Sequence, residues 1–333
     1  VSIHISELAP GALDRVERLW IGVHRHHQLI APTLAPYVDD ETTWRVRRTV
    51  YEHALAEGGF ALVATRNGRD VGYALARTRR PPWPATFRTS DTIAELESLA
   101  VADTERGRGV GTGLLDAVDA RLDDRGLHDR MLGAVATNDR AVALYTRRGY
   151  RATWITATRF QHRAPPPTTP PGVEAVTPDD VEALKPLALE LHRHHRRVAA
   201  HLAPFLDDDA SWQIVRAQLA HAAEHEILLR TGPADAPTAL AWVSISRDDP
   251  LWADTWPVRR DVAELHLLVV APHARRQGLG STLLDAIDQR LAEHGVHDQV
   301  IGTITANADA LRLCRDRGFQ PTWLELTYRS PGG

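Results

Sequence analysis

Apolar residues recur along this chain at two spacings, every second position and every third or fourth, and the spacings follow each other in the same order twice. FALVA at 60–64 and VGYALA at 71–76, joined through Asn67-Gly68, read as a β-hairpin with a tight turn. IAELESLAV at 93–101 predicts a central strand and is answered by VAELHLLVV at 262–270. Helices are predicted at 111–124 and 139–148, and strands at 131–135 and near 150–160. In the second half, Thr177-Pro178-Asp179-Asp180 places a capping residue, a proline and an acid where a helix begins. The helix that follows carries Leu184, Leu187, Leu191 and His195 on one face. Each half reads strand, two helices, three strands, helix, strand, helix, strand, which is a mixed α/β order.

The order repeats because the sequence does. VADTERGRGVGT at 101–112 returns as VAPHARRQGLGS at 270–281, and LLDAVDARL at 114–122 returns as LLDAIDQRL at 283–291. Asn138 matches Asn307, Gly149-Tyr150 matches Gly318-Phe319, and Thr153-Trp154 matches Thr322-Trp323, all at an offset of 169 residues. Upstream the offset is 168, where His24-Arg25-His26-His27 matches His192-Arg193-His194-His195 and LAPYVDD at 34–40 matches LAPFLDD at 202–208. Solenoid units run roughly 20 to 50 residues, so this period marks a duplicated domain. The proline-dense stretch APPPTTPPG at 164–172 favours extended backbone and reads as a semi-rigid linker between residues 1–163 and 173–333.

Composition narrows the chemistry. The 333 residues suggest about two domains, each large enough to bury its own core, and 43% hydrophobic with 25% charged residues is ordinary for a globular chain. A net charge of -4 offers no basic face for nucleic acid, so arginine patches serve local anions. One cysteine, Cys314, permits no intrachain disulfide. The first residues, VSIHISELAP, lack a signal-peptide pattern, and no run approaches the ~18 apolar residues of a spanning helix. The expectation is a cytoplasmic protein with no membrane partner. Lys185 is the only lysine, which excludes a P-loop in either half and leaves a pyridoxal Schiff base no lysine near the glycine-rich turns.

In each copy a strand feeds an Arg/Gly-rich turn and then a helix. Such a turn presents backbone N–H groups at the helix N-terminus, where dipole and unpaired donors favour phosphate, and Gly107, Gly109 and Gly111 let the chain approach the anion. A strand-to-helix turn using glycine for geometry alone is the competing reading. Two turns in register, with Arg106 and Arg275, favour the cradle. The dinucleotide fingerprint fails, because Gly111-Thr112-Gly113 and Gly278-Leu279-Gly280 both lack the third glycine.

Arg106-Gly107-Arg108-Gly109-Val110-Gly111-Thr112 and Arg275-Arg276-Gln277-Gly278-Leu279-Gly280-Ser281 resemble the [RQ]-x-x-G-x-[GA] pyrophosphate loop of the GNAT superfamily of acyl-CoA-dependent N-acyltransferases. Asn138, Leu144, Tyr145, Gly149 and Tyr150 resemble its second signature. The resemblance implies two tandem GNAT domains, each a mixed sheet splayed open beside its central strand. It implies pantetheine along Leu99, Ala100 and Val101, or Leu268, Val269 and Val270, with pyrophosphate on the loop that follows. Asn138 with Tyr145, and Asn307 with Cys314, would border the two coenzyme sites. Acetyl-CoA or another acyl-CoA is the implied cofactor, and the implied reaction is direct attack by an amine, with the oxyanion held by strand N–H groups.

An attacking amine must lose a proton. On the central strand Glu97 is the first candidate base, with Glu95 on the same face; His266 is its counterpart. A solvent-facing carboxylate and a structural histidine are the bland alternatives. In the family a tyrosine on the last helix protonates the departing thiolate. Tyr145 matches it, whereas Cys314 is a weaker donor with less reach. Two-domain relatives such as mycothiol synthases use the C-terminal half for transfer, so residue chemistry favours the first half and family architecture the second.

The paired HxHH motifs invite a metal reading, but nothing in sequence completes a site, and no metal is expected. The family resemblance puts these histidines, Tyr37 and Trp44 near the acceptor. Trp83, Trp252 and Trp256 are candidates for an apolar pocket, with core packing the default. The acidic runs 39–41 and 207–209 complement helix dipoles. The expected function is transfer of an acetyl or other short acyl group to a small-molecule amine, of the kind found in bacterial antibiotic or thiol biosynthesis, by a monomer or homodimer. An acyl-CoA-binding sensor, a tRNA-dependent aminoacyl transferase and a protein N-terminal acetyltransferase are the rivals.

Overall fold

The hairpin turn shows how closely local chemistry sets this backbone: Asn67 and Gly68 both adopt positive φ, 51° and 72°, as a two-residue turn between right-twisted strands requires. The computed structural model describes residues 3–160, 170–202, 204–247, 254–257 and 261–329. The first half comprises β1 (His4–Glu7), α1 (Glu17–Ile30), α2 (Asp40–Ala56), β2 (Phe60–Arg66), β3 (Arg69–Arg79), β4 (Ile93–Val101), α3 (Val110–Asp124), β5 (Arg130–Val135), α4 (Asp139–Arg147) and β6 (Arg151–Arg159). The second comprises β7 (Val173–Ala175), α5 (Lys185–Val198), α6 (Asp208–His225), β8 (Ile227–Thr231), β9 (Ala239–Arg247), β10 (Asp261–Val270), α7 (Leu279–Glu293), β11 (Asp298–Ile304), α8 (Ala308–Asp316) and β12 (Gln320–Tyr328). Of the proline-dense stretch, residues 164–169 lie outside the described residues.

Helix starts follow the capping chemistry. Asp39 accepts from the Thr42 amide and Asp207 from the Ala210 amide, each supplying a partner for an orphan N–H of α2 or α6. Thr177 and Asp180 form a reciprocal capping box. It opens a short 3-10 segment, Pro178–Leu184, and α5 begins only at Lys185.

The strands form one sheet in the order β1-β2-β3-β4-β5-β12-β6-β11-β10-β9-β8-β7. The last strands are exchanged. β12, from the end of the second half, lies against β5, and β6 lies against β11. The two meet antiparallel along a central seam, where Thr153 pairs with Thr327 and Thr158 with Thr322, hydroxyl to hydroxyl at 2.6 Å. Composition suggests a separate core for each half; the exchange mixes them. Leu326 of β12 is fully buried in the core beneath α3 and α4, and Ala157 of β6 is buried in the core beneath α7.

A repeated pair of residues packs across the exchanged strands. The indole of Trp323 lies over Gly133 of β5, and that of Trp154 lies over Gly302 of β11, so closely that a Cβ on either glycine would collide with it. Each exchanged strand thus brings a tryptophan to a glycine in the other half.

The sheet opens where the resemblance implies. β4 and β5 pair only from Ala94–Arg130 to Leu96–Leu132 and then diverge, leaving one edge of Leu99–Val101 unpaired. β10 and β11 separate likewise after Leu265–Ile301. A bulge interrupts pairing at Glu97 in β4 and at His266 in β10. Among the described residues no helix is long and apolar enough to cross a membrane.

Candidate active site

The splay in the first half opens into a cavity of about 550 Å³. Leu99, Ala100 and Val101 form one wall, followed by Arg106, Gly107, Gly109, Val110, Gly111 and Thr112 at the start of α3. Asn138, Ala141, Leu144 and Tyr145 of the α4 segment form the other. Gly107 and Gly109 hold φ of 76° and 81°, a region that suits glycine, and Gly109 directly precedes α3. Asn138 spends its side-chain oxygen capping α4 through the Ala141 amide. Arg108 points away from the lining, 62% exposed.

Residues not singled out from sequence, together with His26 and His27 of the first HxHH motif, complete this cavity. Arg140 and Arg147 of α4 join Arg106 to make its phosphate end cationic. Trp20, Val23, His26 and His27 of α1, with Arg47 of α2, close the other end, and Trp323 reaches in from β12. Among the described residues Arg106 is paired with Asp103, whose side chain is 79% exposed, so its charge stays available to an anion. The groove fits a pyrophosphate: backbone donors at a helix start, glycines at the point of closest approach, and three guanidiniums.

At the acceptor end, Glu97 is 11% exposed and held from two sides. Arg47 donates from Nη1 to Oε1 at 2.6 Å, and Arg77 Nη2 lies 2.9 Å from Oε2. Burial raises the Glu97 carboxyl above the ordinary glutamate value; Arg47 and Arg77 oppose this, and Glu95 and Asp254 reinforce it. Glu95 is tied to Arg77 and Arg79. Beneath Arg47, buried Tyr51 donates to Ser98 Oγ at 2.6 Å and meets the Tyr73 hydroxyl at 2.7 Å, giving the site a polar floor. Burial raises the Tyr145 phenol well above its usual value, so it stays a proton donor. Burial pushes the His27 imidazole down to about 3, with His26, His24 and Arg47 adding to the effect, so His27 is neutral.

The same positions in the second half carry different chemistry. Gly278 repeats the backbone of Gly109 with φ of 82°, but Gly107 is replaced by Arg276, which takes φ of 62° against its side chain's preference. Arg275 is bound at 2.7 Å by Glu190, which also holds Arg197; the position of Glu190 is Gly22 in the first half. Although burial opposes it, hydrogen bonds from Arg197 and Arg275 bring the Glu190 carboxyl below its ordinary value. Arg140 and Arg147 become Asp309 and Asp316, and Arg108 becomes Gln277. His194 reaches Asn307 Oδ1 at 3.3 Å, bridging α5 and the start of α8. Leu268, Val270 and Leu279 pack against the core, Val269 is buried in it, and Gly280 sits near Val270 and Leu313. The Ser281 carbonyl accepts from Arg317 at 2.5 Å.

The polar floor is absent there as well. Leu219, Leu240 and Leu267, all buried, occupy the places of Tyr51, Tyr73 and Ser98, and Val215 occupies that of Arg47. His266 lies at the bulge, bonded to Ser244 at 2.7 Å and stacked on Trp242 with centroids 4.4 Å apart. Burial pushes the Cys314 thiol up to about 11, which keeps it an inert core group.

Other candidates are packing residues. Trp256, 1% exposed, stacks on Tyr37 and Phe160. Trp83 stacks on Trp154, and Trp44 is buried beside Tyr51. Trp252 lies outside the described residues. The Tyr37 hydroxyl donates to the Ala31 carbonyl at 2.6 Å. No group of three metal-ligating side chains occurs among the described residues, and His24 and His192 bond the carbonyls of Val38 and Leu206.

Comparison with known proteins agrees with this geometry. A mycothiol acetyltransferase of Paenarthrobacter aurescens (strain TC1) is 34% identical over 94 residues, 28% of this chain and 27% of that protein. A GCN5-related N-acetyltransferase from Sphaerobacter thermophilus has a TM-score of 0.58 at 14% identity, covering 98% of this chain and 95% of that one. The GCN5-related glucosamine N-acetyltransferase region of a fungal multi-domain GH3 β-N-acetylglucosaminidase also has a TM-score of 0.58, at 16% identity, covering 98% of this chain and 38% of that one. The chain spans about a quarter of the curated relative's length. At these identities the structural likeness establishes the fold. The acetyltransferase (GNAT) family model matches residues 23–150 and again 191–319. With both halves matched, the chain belongs to the GNAT acetyltransferase family, as a tandem member.

Proposed function

We propose that the first half is an acyl-CoA-dependent N-acyltransferase site for a small-molecule amine, acetyl-CoA being the donor, and that the second half serves the fold and completes that site. The observation that carries this reading is the contrast between the halves: an open cationic groove with a polar floor in one, a carboxylate-bound loop over leucines in the other. The mycothiol acetyltransferase likeness supports a small-molecule acceptor.

The coenzyme, when bound, supplies an activated acyl thioester. The N–H groups at the start of α3, with Arg106, Arg140 and Arg147, hold its pyrophosphate. The free edge of β4 at Leu99–Val101 orients the pantetheine arm toward the bulge at Glu97. Glu97, directly or through one water, takes the proton from the incoming amine. Tyr145, on the opposite wall, donates a proton toward the departing sulfur. Trp20 and Trp323 exclude water from the acceptor end.

Native mass spectrometry of the chain with acetyl-CoA, followed by thiol release against a panel of small amines and peptides, tests this. One copy per chain and turnover with a small amine are expected. Absence of bound coenzyme, or turnover confined to peptides, would overturn the reading.

A further inference from the structure

This inference rests on the transfer site lying in the first half. The segment before β10 in the second half crosses to the first and docks on α1 and α2. The Val38 amide donates to the Thr255 carbonyl at 3.1 Å, Thr43 Oγ1 donates to the Asp254 carbonyl, and Trp256 packs on Tyr37. The segment before β4 docks on the second half in the same way. There the Leu206 amide donates to the Thr86 carbonyl at 3.2 Å, Ser211 Oγ donates to the Ala85 carbonyl at 2.8 Å, and Phe87 packs on Phe205. The two dockings share these two hydrogen bonds and differ in two ways: the Arg88 amide also donates to the Pro204 carbonyl at 3.1 Å, where Pro257 has no N–H, and one side chain changes in kind. Asp254 carries a carboxylate where Ala85 has a methyl group.

Docking succeeds at Ala85 without a carboxylate, so docking does not require one at Asp254. What the carboxylate touches is the candidate site. Asp254, 6% exposed, takes Arg47 Nε at 2.6 Å and Arg47 Nη2 on the same Oδ2, while Thr255 Oγ1 donates to its Oδ1 at 3.1 Å. Arg47, stacked over Trp20 at 4.2 Å, turns its Nε–Nη2 edge to Asp254 and reaches Glu97 through Nη1. A guanidinium has a fork suited to gripping a carboxylate with two parallel bonds, and a carboxylate so gripped is a poor proton acceptor. Asp254 takes the Nε–Nη2 edge, one of the edges that could make that grip, and holds the guanidinium so that a single bond reaches Glu97. In the second half the whole set is gone together: Val215, His266 and Ala85 stand for Arg47, Glu97 and Asp254.

We propose that Asp254 is a positioning residue for the first-half site: by engaging Arg47 through Nε and Nη2 it leaves Glu97 a single contact with that guanidinium, beside the one from Arg77, so that its carboxylate keeps lone pairs to accept the amine proton. Acyl transfer in one half then depends on a carboxylate delivered by the other. The charged groups around Glu97 are Arg47 from α2, Arg77 from β3, Glu95 from β4 and Asp254 itself, with neutral His27 of α1 in the same cavity. Removing the Asp254 charge takes away a group that raises the Glu97 carboxyl and frees Arg47 to lower it further, so both effects have one sign.

The test compares Asp254→Asn and Asp254→Glu with the unaltered chain, measuring kcat and KM for both substrates from pH 5 to 9. For Asp254→Asn the acid limb of kcat/KM is expected to move to lower pH, by about one unit, with kcat reduced about tenfold. KM for acetyl-CoA should be unchanged, and Asp254→Glu should recover most of the rate. An acid limb that stays in place overturns the proposal, whether kcat falls or not, and so does a loss confined to KM. Thermal unfolding of each variant keeps a folding defect apart. Absence of turnover in the unaltered chain with every amine would instead count against the acyltransferase reading.

Discussion

Gly109 and Gly278 precede their helices with φ of 81° and 82°, yet three positions flanking the two cradles differ in charge. The first is flanked by Gly22, Arg140 and Arg147, the second by Glu190, Asp309 and Asp316. The difference separates two jobs that one motif performs. Glycine at positive φ starts a helix that each half needs for its core, so the backbone survives without a ligand. On the proposed reading the cations of the first half serve the ligand, and a half that does not bind has no need of them. A motif match therefore speaks for the fold, and the residues around it speak for occupancy.

The largest effect expected from this contrast is on coenzyme binding. Gly111 and Gly280 lie inside α3 and α7 and do not require positive φ, and a Cβ at either meets only ordinary contacts, the nearest at 3.5 Å and 3.8 Å. Tryptophan at either place fills the cradle without straining the backbone. Gly111→Trp should lower acetyl-CoA affinity more than 100-fold by calorimetry, about 3 kcal/mol, and Gly280→Trp less than twofold. If Gly280→Trp removed the bound copy instead, the roles of the halves would be reversed.

Next in size is the proton donor. Tyr145→Phe keeps the ring in place and removes the hydroxyl, so kcat should fall about 10²-fold with coenzyme affinity held within twofold. Cys314→Ala should leave kcat within twofold, since that thiol is buried and protonated. A deep loss of kcat from Cys314→Ala would place transfer in the second half.

The exchanged strands give a third, smaller contrast. Trp323→Ala and Trp154→Ala each remove an indole packed on a glycine, and each should destabilise the chain by about 3 kcal/mol in urea unfolding. Only Trp323 also lines the cavity, so only its loss should raise KM for the amine. Equal effects on KM would mean that the seam as a whole, and not the indole, shapes the acceptor end.

Both halves, their element order and both cradles were legible in the sequence, because periodicity, caps and glycines act locally. The exchange was not, because strand pairing between residues 140 to 198 positions apart leaves no local mark. The glycine and the tryptophan that meet there, Gly133 with Trp323 and Gly302 with Trp154, are the same in both repeats and so do not mark which half each strand joins. Glu97 and Tyr145 were reachable from the family resemblance. Arg47 and Asp254 were not, since their meeting depends on how one half docks on the other. The charge reversals at 140 and 309, 147 and 316, and 22 and 190 could have been read by comparing the repeats outside the motif itself. So could the three leucines that stand for Tyr51, Tyr73 and Ser98.

The finest test asks whether charge or packing silences the second cradle. In a Gly111→Trp chain only the second half can hold coenzyme, which isolates it. Glu190→Gln in that background frees Arg275 from its carboxylate, and adding Asp309→Arg restores a cation at the start of α8. Each partly exposed charge is worth a fraction of a kcal/mol to about 1 kcal/mol toward a bound anion, so together they should tighten weak acetyl-CoA binding by roughly fivefold to tenfold at low salt. The gain should disappear at about 0.5 M salt, where exposed charges are screened within a few ångströms. A gain that resists salt would mean the substitutions act by loosening α5 from the loop. No gain at any salt would mean that the groove is closed by packing, through the His194–Asn307 bridge and the leucine floor, and that reversing charge alone cannot reopen it.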